Sequence, residues 1–144
     1  MPGYLKPVAA TAPAYQGEGQ NGAVAQNRVT FLAAELTLNA VYPMVRLPRG
    51  AIIHDIVMTV SDMDGATSGI VSLGVAGDAE RYIRRVSIQA AGTFRMGNDA
   101  TAAAAIIAAP RALPNEVTLD LLIQTAPGTA APGTVDIAVH YTCE

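Results

Sequence analysis

Tryptophan is absent, cysteine occurs once and histidine twice in 144 residues. A single thiol, Cys143, can form neither an internal disulfide nor a two-cysteine redox pair. Two histidines and one cysteine leave a zinc site short of ligands unless distant carboxylates join them. Charge is scarce as well: Asp, Glu, Lys and Arg make up 15% of the chain against the roughly 25% usual in soluble domains. The net charge is -3, and Arg81, Arg84, Arg85 and Arg95 stand close in sequence to Asp78, Glu80 and Asp99. No basic stripe suited to nucleic acid results. The longest apolar run, TAAAAIIAAP, is too short to cross a membrane as a helix. MPGYLKPVAATAPAY lacks a continuous apolar segment, so no signal peptide is expected. Neither a nucleic-acid nor a membrane partner is therefore expected.

What is present is aliphatic. The chain is 51% hydrophobic but only 5% aromatic, the excess being Ala, Val, Ile and Leu. Low charge on so aliphatic a chain implies that another chain covers part of its surface. Residues 1–26 read as an extended arm. Pro2, Pro7, Pro13 and four glycines interrupt any periodicity, and the segment cannot offset its own ordering entropy. Tyr4, Leu5, Tyr15 and Val24 are the anchors it offers to a partner.

The body, 27–144, reads as strands. EVTLDLLIQT (116–125) sets Val117, Leu119, Leu121 and Ile123 on one face; TVDIAVHYT (134–142) does so with Val135, Ile137, Val139 and Tyr141. The Pro/Gly-rich link between them suggests a hairpin, with the two paired antiparallel. RVTFLAAELT and NAVYPMVRL supply one or two more strands, Pro43 marking an edge or a bulge. AIIHDIVMTV, GIVSLGV, RRVSIQ and GTFRM complete seven or eight strands. DAERYIRR (78–85) suggests a short helix capped by Asp78, and TAAAAIIAA (101–109) fits helix or strand. Short antiparallel strands without a βαβ rhythm predict an all-β antiparallel β-sandwich, jelly-roll-like, with the extended arm in front.

No catalytic constellation emerges. His54 is expected to share a face with Ile52, Ile56, Met58 and Val60, and adjacent Asp55 to point the other way, so they form no dyad. Ser61, Ser68, Ser72 and Ser87 lie in no nucleophile motif, and nothing in the spacing of Asp55, Asp120 and Asp136 selects an acid pair. SDMDGATSG (61–69) begins like a calcium loop but lacks its pattern; Asp64-Gly65 reads more simply as a turn. Ile53 and Val57, opposite the Ile52/Ile56/Met58 face, make this strand apolar on both sides. With Asp55, they are the candidate partner-binding residues of the body.

Residues 42–83, YPMVRLPRGAIIHDIVMTVSDMDGATSGIVSLGVAGDAERYI, resemble the head decoration, or capsid cement, proteins of tailed bacteriophages. The likeness rests on RLPRGA, on Asp55-Ile56, on Leu73-Gly74-Val75, and on Gly77-Asp78-Ala79 with Tyr82-Ile83, and extends over about 40–142. It implies a β-sandwich on the outer surface of the capsid, bound to the major capsid protein as a homo-oligomer, a trimer favoured. Such a protein reinforces contacts between capsomers, with no cofactor and no catalysis. Another virion module remains open beside it: a head-tail or tail component, or a host-glycan-binding domain.

Overall fold

Period-two alternation of aliphatic residues becomes eight strands in the computed structural model, which describes residues 22–65, 69–109 and 112–143. They are β1 (Ala23–Phe31), β2 (Val41–Leu47), β3 (Ala51–Val60), β4 (Ile70–Val75), β5 (Asp78–Ser87), β6 (Gly92–Arg95), β7 (Val117–Thr125) and β8 (Gly133–Cys143). Two four-stranded sheets result, ordered β1-β8-β3-β6 and β2-β7-β4-β5, and every pairing is antiparallel. This is an all-β sandwich in jelly-roll order. Their inner faces bury Phe31, Leu47, Ile56, Met58, Leu121 and Ile137 to 2% exposure or less, each such burial contributing roughly 1.5–3 kcal/mol.

The alternation of β7 and β8 is as expected: Leu119, Leu121, Ile123, Val135, Ile137 and Val139 are buried. Their mutual pairing is not. β7 joins β2 and β4, whereas β8 joins β1 and β3. The link between them arches from one sheet to the other, so both apolar faces look into the same interior. The expected helix at 78–85 is instead strand β5. Gly77, at φ 89°, closes a β4–β5 hairpin, and pairing with β4 buries Ile83 and Val86. Residues 101–109 resolve as helix: α1 spans Ala100–Ala108, capped by the Asp99 carboxylate, which accepts from the Ala102 N–H. β1 starts at Ala23, four positions ahead of the boundary expected for the body.

Three of the four sheet edges are closed. β6 is only four residues long. β2 carries Pro43 and a bulge, and Asn27 donates to its Met44 carbonyl at 2.7 Å. On β5, the Asn98 amide imitates a strand: its Oδ1 accepts from Arg84 N at 2.7 Å, its Nδ2 donates to Arg84 O at 2.8 Å, and Gly97 N donates to Tyr82 O.

Candidate docking surface

β3 carries most of the residues the sequence singles out, and a bulge decides where they point. Ile53 stands opposite Tyr141 of β8 while Asp55 stands opposite His140, leaving His54 as the extra residue. The slip turns His54 outward: it is exposed, and its Nε2 lies 2.9 Å from Thr142 Oγ1. The expected grouping of His54 with buried Ile56 and Met58 is thus corrected. So is the expectation that His54 and Asp55 point to opposite faces, because a bulge suspends strict alternation. Asp55 faces the Arg95 guanidinium of β6 in a short ion pair, and its Oδ1 accepts its neighbour Ile56 N–H at 2.9 Å. The two side chains have separate partners and form no dyad.

The bulge also separates the candidate partner-binding residues. Asp55 and Val57 lie on the outer face of the β1-β8-β3-β6 sheet, where Val57 is flanked by Ala138 and Arg95. Gln26, Arg28 and Asp136 continue that face through contacts of 3.0–3.2 Å. Ile53 instead packs against the core, so β3 is not apolar on both sides along its whole length. Tyr4, Leu5 and Tyr15 lie outside the described residues.

The other sheet's outer face is tied by polar side chains. Ser72 Oγ donates to Gln124 Oε1 at 2.6 Å and accepts Arg85 N–H at 2.9 Å, while Gln124 donates to Glu80. Arg84 bridges Glu80 at 3.3 Å and Asp99 at 3.0 Å, linking β5 to the cap of α1. The arginines at 81, 84 and 85 are thus neutralised by Asp78, Glu80 and Asp99. The Ala102 N–H, and next the Arg84 side chain, hold the Asp99 carboxyl below its usual range. A carboxyl depressed on folding stabilises the fold above its unfolded value and loses that contribution as pH falls through its folded one. Acidification should therefore fray the first turn of α1 before the sheets loosen. Lower protection factors at Ala102 and Ala103, with exchange referred to its intrinsic rate at each pH in the acid carboxylate range and β8 still protected, are the expected result. Equal loss of protection in both would contradict it.

In the loop after β3, Asp64 is 1% exposed. Its carboxylate accepts backbone N–H groups of Gly69 at 2.8 Å, Thr129 at 3.1 Å and Gly128 at 3.4 Å. The reading of Asp64-Gly65 as a turn gives way to a cross-link between two loops. Among the described residues no group of three or more His, Cys, Asp or Glu is placed to hold a metal ion.

One apolar cavity of about 250 Å³ lies between α1 and the start of β3, lined among others by Ile53, Tyr82, Met96, Ile106, Ile107 and Leu113. Burial pushes the Tyr82 phenol above its usual range. Ile107 at its rim is 84% exposed. Sequence reasoning missed this surface, although an Ile-Ile pair in a charge-free helix was its signal. Leu32, Leu38 and Val41 are likewise more than half exposed around the β1–β2 connection.

No family model and no curated protein sequence matches the chain. Solved structures of phage capsids share its architecture. A chain in the capsid asymmetric unit of cyanophage Pam1 superposes with a TM-score of 0.70 at 22% identity, over 100% of both chains. A chain in the capsid of Ralstonia phage GP4 gives 0.70 at 16% identity, covering 95% of this chain and 93% of that one. One in the acid-stable capsid of Helicobacter pylori bacteriophage KHP30 gives 0.56 at 16%, covering 85% and 92%. What they share is the fold.

Proposed function

We propose that this protein is a structural component of a phage virion, a jelly-roll body that binds the outside of a shell of major capsid protein and stabilises contacts between capsomers. The observation that carries the reading is the end-to-end likeness, over 100% of both chains, to a chain in a phage capsid asymmetric unit. The surface supports it for separate reasons: charge is low, and five large apolar residues are more than half exposed among the described ones. Its work is mechanical, with no turnover of substrate and no cofactor. It acts as a closed homo-oligomer, a trimer favoured, with each copy cross-linking shell subunits. Tyr4, Leu5 and Tyr15 of the arm, with Asp55 and Val57 of the outer sheet face, form the contact with the shell. Arm and body reaching different subunits make the second contact effectively intramolecular.

Binding to purified shells tests this. Val57 is half-buried, at the centre of the outer face and away from the core. Val57→Arg should leave the unfolding midpoint nearly unchanged and weaken co-sedimentation with shells by about tenfold or more, as charge placed in the apolar middle of an interface does. Removal of residues 1–21, which spares all of β1, should weaken it similarly. Parent-like occupancy by both variants would refute these contact assignments. Failure of the parent to bind any shell, with binding to host glycans instead, would favour an adhesive role.

A further inference from the structure

Among the described residues, β1 is the sheet edge with no closing device. It heads the order β1-β8-β3-β6 and pairs with β8 along its whole length without a bulge. It contains neither proline nor lysine, residues that commonly guard such an edge. Its one charge, Arg28, is neutralised by Asp136 at 3.0 Å. The direction of its backbone groups follows from the neighbouring strands. Ser61 N donates to Thr134 O, and Met96 N donates to Ile56 O. Thr134 therefore turns its backbone toward β3, and Ile56 turns toward β6. Alternation then turns Val135, and Val139 opposite Ile56, toward β1, where they meet Val29 and Ala25. The intervening residues Val24, Gln26, Arg28 and Thr30 point N–H and C=O out of the sheet edge, and their side chains are exposed.

We propose that β1 pairs antiparallel with β1 of a second copy, about a twofold axis at Asn27. The other edges, β2, β5 and β6, are closed, so β1 is the edge that two copies share, and the contact is isologous. Centred on Asn27, Val24 stands opposite Thr30 of the other copy and Gln26 opposite Arg28. Every outward N–H and C=O between Val24 and Thr30 is then satisfied in both copies. A slip of two residues one way sets Arg28 against Arg28, a like-charge pair directly opposed. The slip the other way leaves Thr30 facing Gly22, which lies outside the strand. Opposed side chains share a face of the sheet, so Asp55 and Val57 of both copies look the same way. Two copies so joined present their shell contacts to one surface; that consequence alone rests on the virion reading. The pairing joins chains two at a time, whether single or from neighbouring trimers, and needs no shell.

Amide exchange of the full-length protein, free of shells, tests this. In submillimolar protein the Gln26 and Arg28 amides should be protected about tenfold or more, and the protection should vanish on dilution while Asn27 and Val29, bonded to β8, stay protected. Gln26→Pro removes an outward N–H and spares every bond to β8, so the folded body should persist. It should abolish protection at Arg28 and remove a concentration-dependent step from sedimentation. In a mixture of isotope-labelled and unlabelled chains, Overhauser contacts between α-protons should join Ala25 of one copy to Val29 of the other, a readout that needs no variant. Unprotected Gln26 and Arg28 amides at high concentration, with no contacts between copies, overturn the proposal. Protection that persists on dilution overturns it in favour of cover by the same chain.

Discussion

Replacing Asp64 with alanine should destabilise the fold by about 3–5 kcal/mol, because it orphans backbone donors that the fold has taken out of water. The carboxylate joins the loop after β3, through Gly69, to the link between β7 and β8, through Gly128 and Thr129. Further backbone bonds cross the same junction: Gly65 N to Thr129 O at 2.8 Å and Ala131 N to Met63 O at 3.0 Å. The link between β7 and β8 passes from one sheet to the other, so Asp64 secures a crossing on which the sandwich depends. Asp64→Asn should be intermediate, since its amide keeps one acceptor oxygen but sets an NH₂ against a donor. Urea unfolding of the three proteins measures this; a loss below about 1 kcal/mol in the alanine variant would refute the role assigned to Asp64.

Gly74→Ala should be at least as severe, yielding no soluble folded protein or losing at least about 3 kcal/mol. A β-carbon there would lie 2.2 Å from Asp78 O and 2.4 Å from the Ala79 carbonyl carbon. Both belong to the backbone of β5, which cannot withdraw without opening the β4–β5 hairpin. Gly22→Ala is the matched control, having nothing within 4 Å of the added methyl. A variant at 74 melting with the parent would show that the hairpin tolerates a separation it does not adopt here.

The inward sets of β7 and β8 were legible because alternation is a local property of the backbone. Their partners were not, since a Pro/Gly-rich link serves a hairpin and a crossing between sheets equally well. DAERYIRR shows the same limit: Ala79, Glu80 and the arginines favour helix, yet pairing with β4 and the turn at Gly77 decide for strand. At His54 one extra residue inverts the reading of His54 and Ile53, and sequence gives no warning of a bulge. Ile53, Asp55 and Val57 appeared as one group for that reason. Asp64 looked like an ordinary turn residue because its partners Gly128 and Thr129 stand 64 and 65 positions away. The jelly-roll class was readable because many short antiparallel strands leave few other ways to bury two apolar faces.

A structural role predicts a physical effect on the particle rather than a chemical one. The direct measurement is the temperature at which purified shells rupture, bare and after saturation with this protein, with bound copies counted on the same sample. Many copies, each burying a standard-sized interface across neighbouring capsomers, should raise the rupture temperature by several degrees, and Val57→Arg should bring it back toward the bare value. Saturated shells that rupture at the same temperature as bare ones would contradict the account.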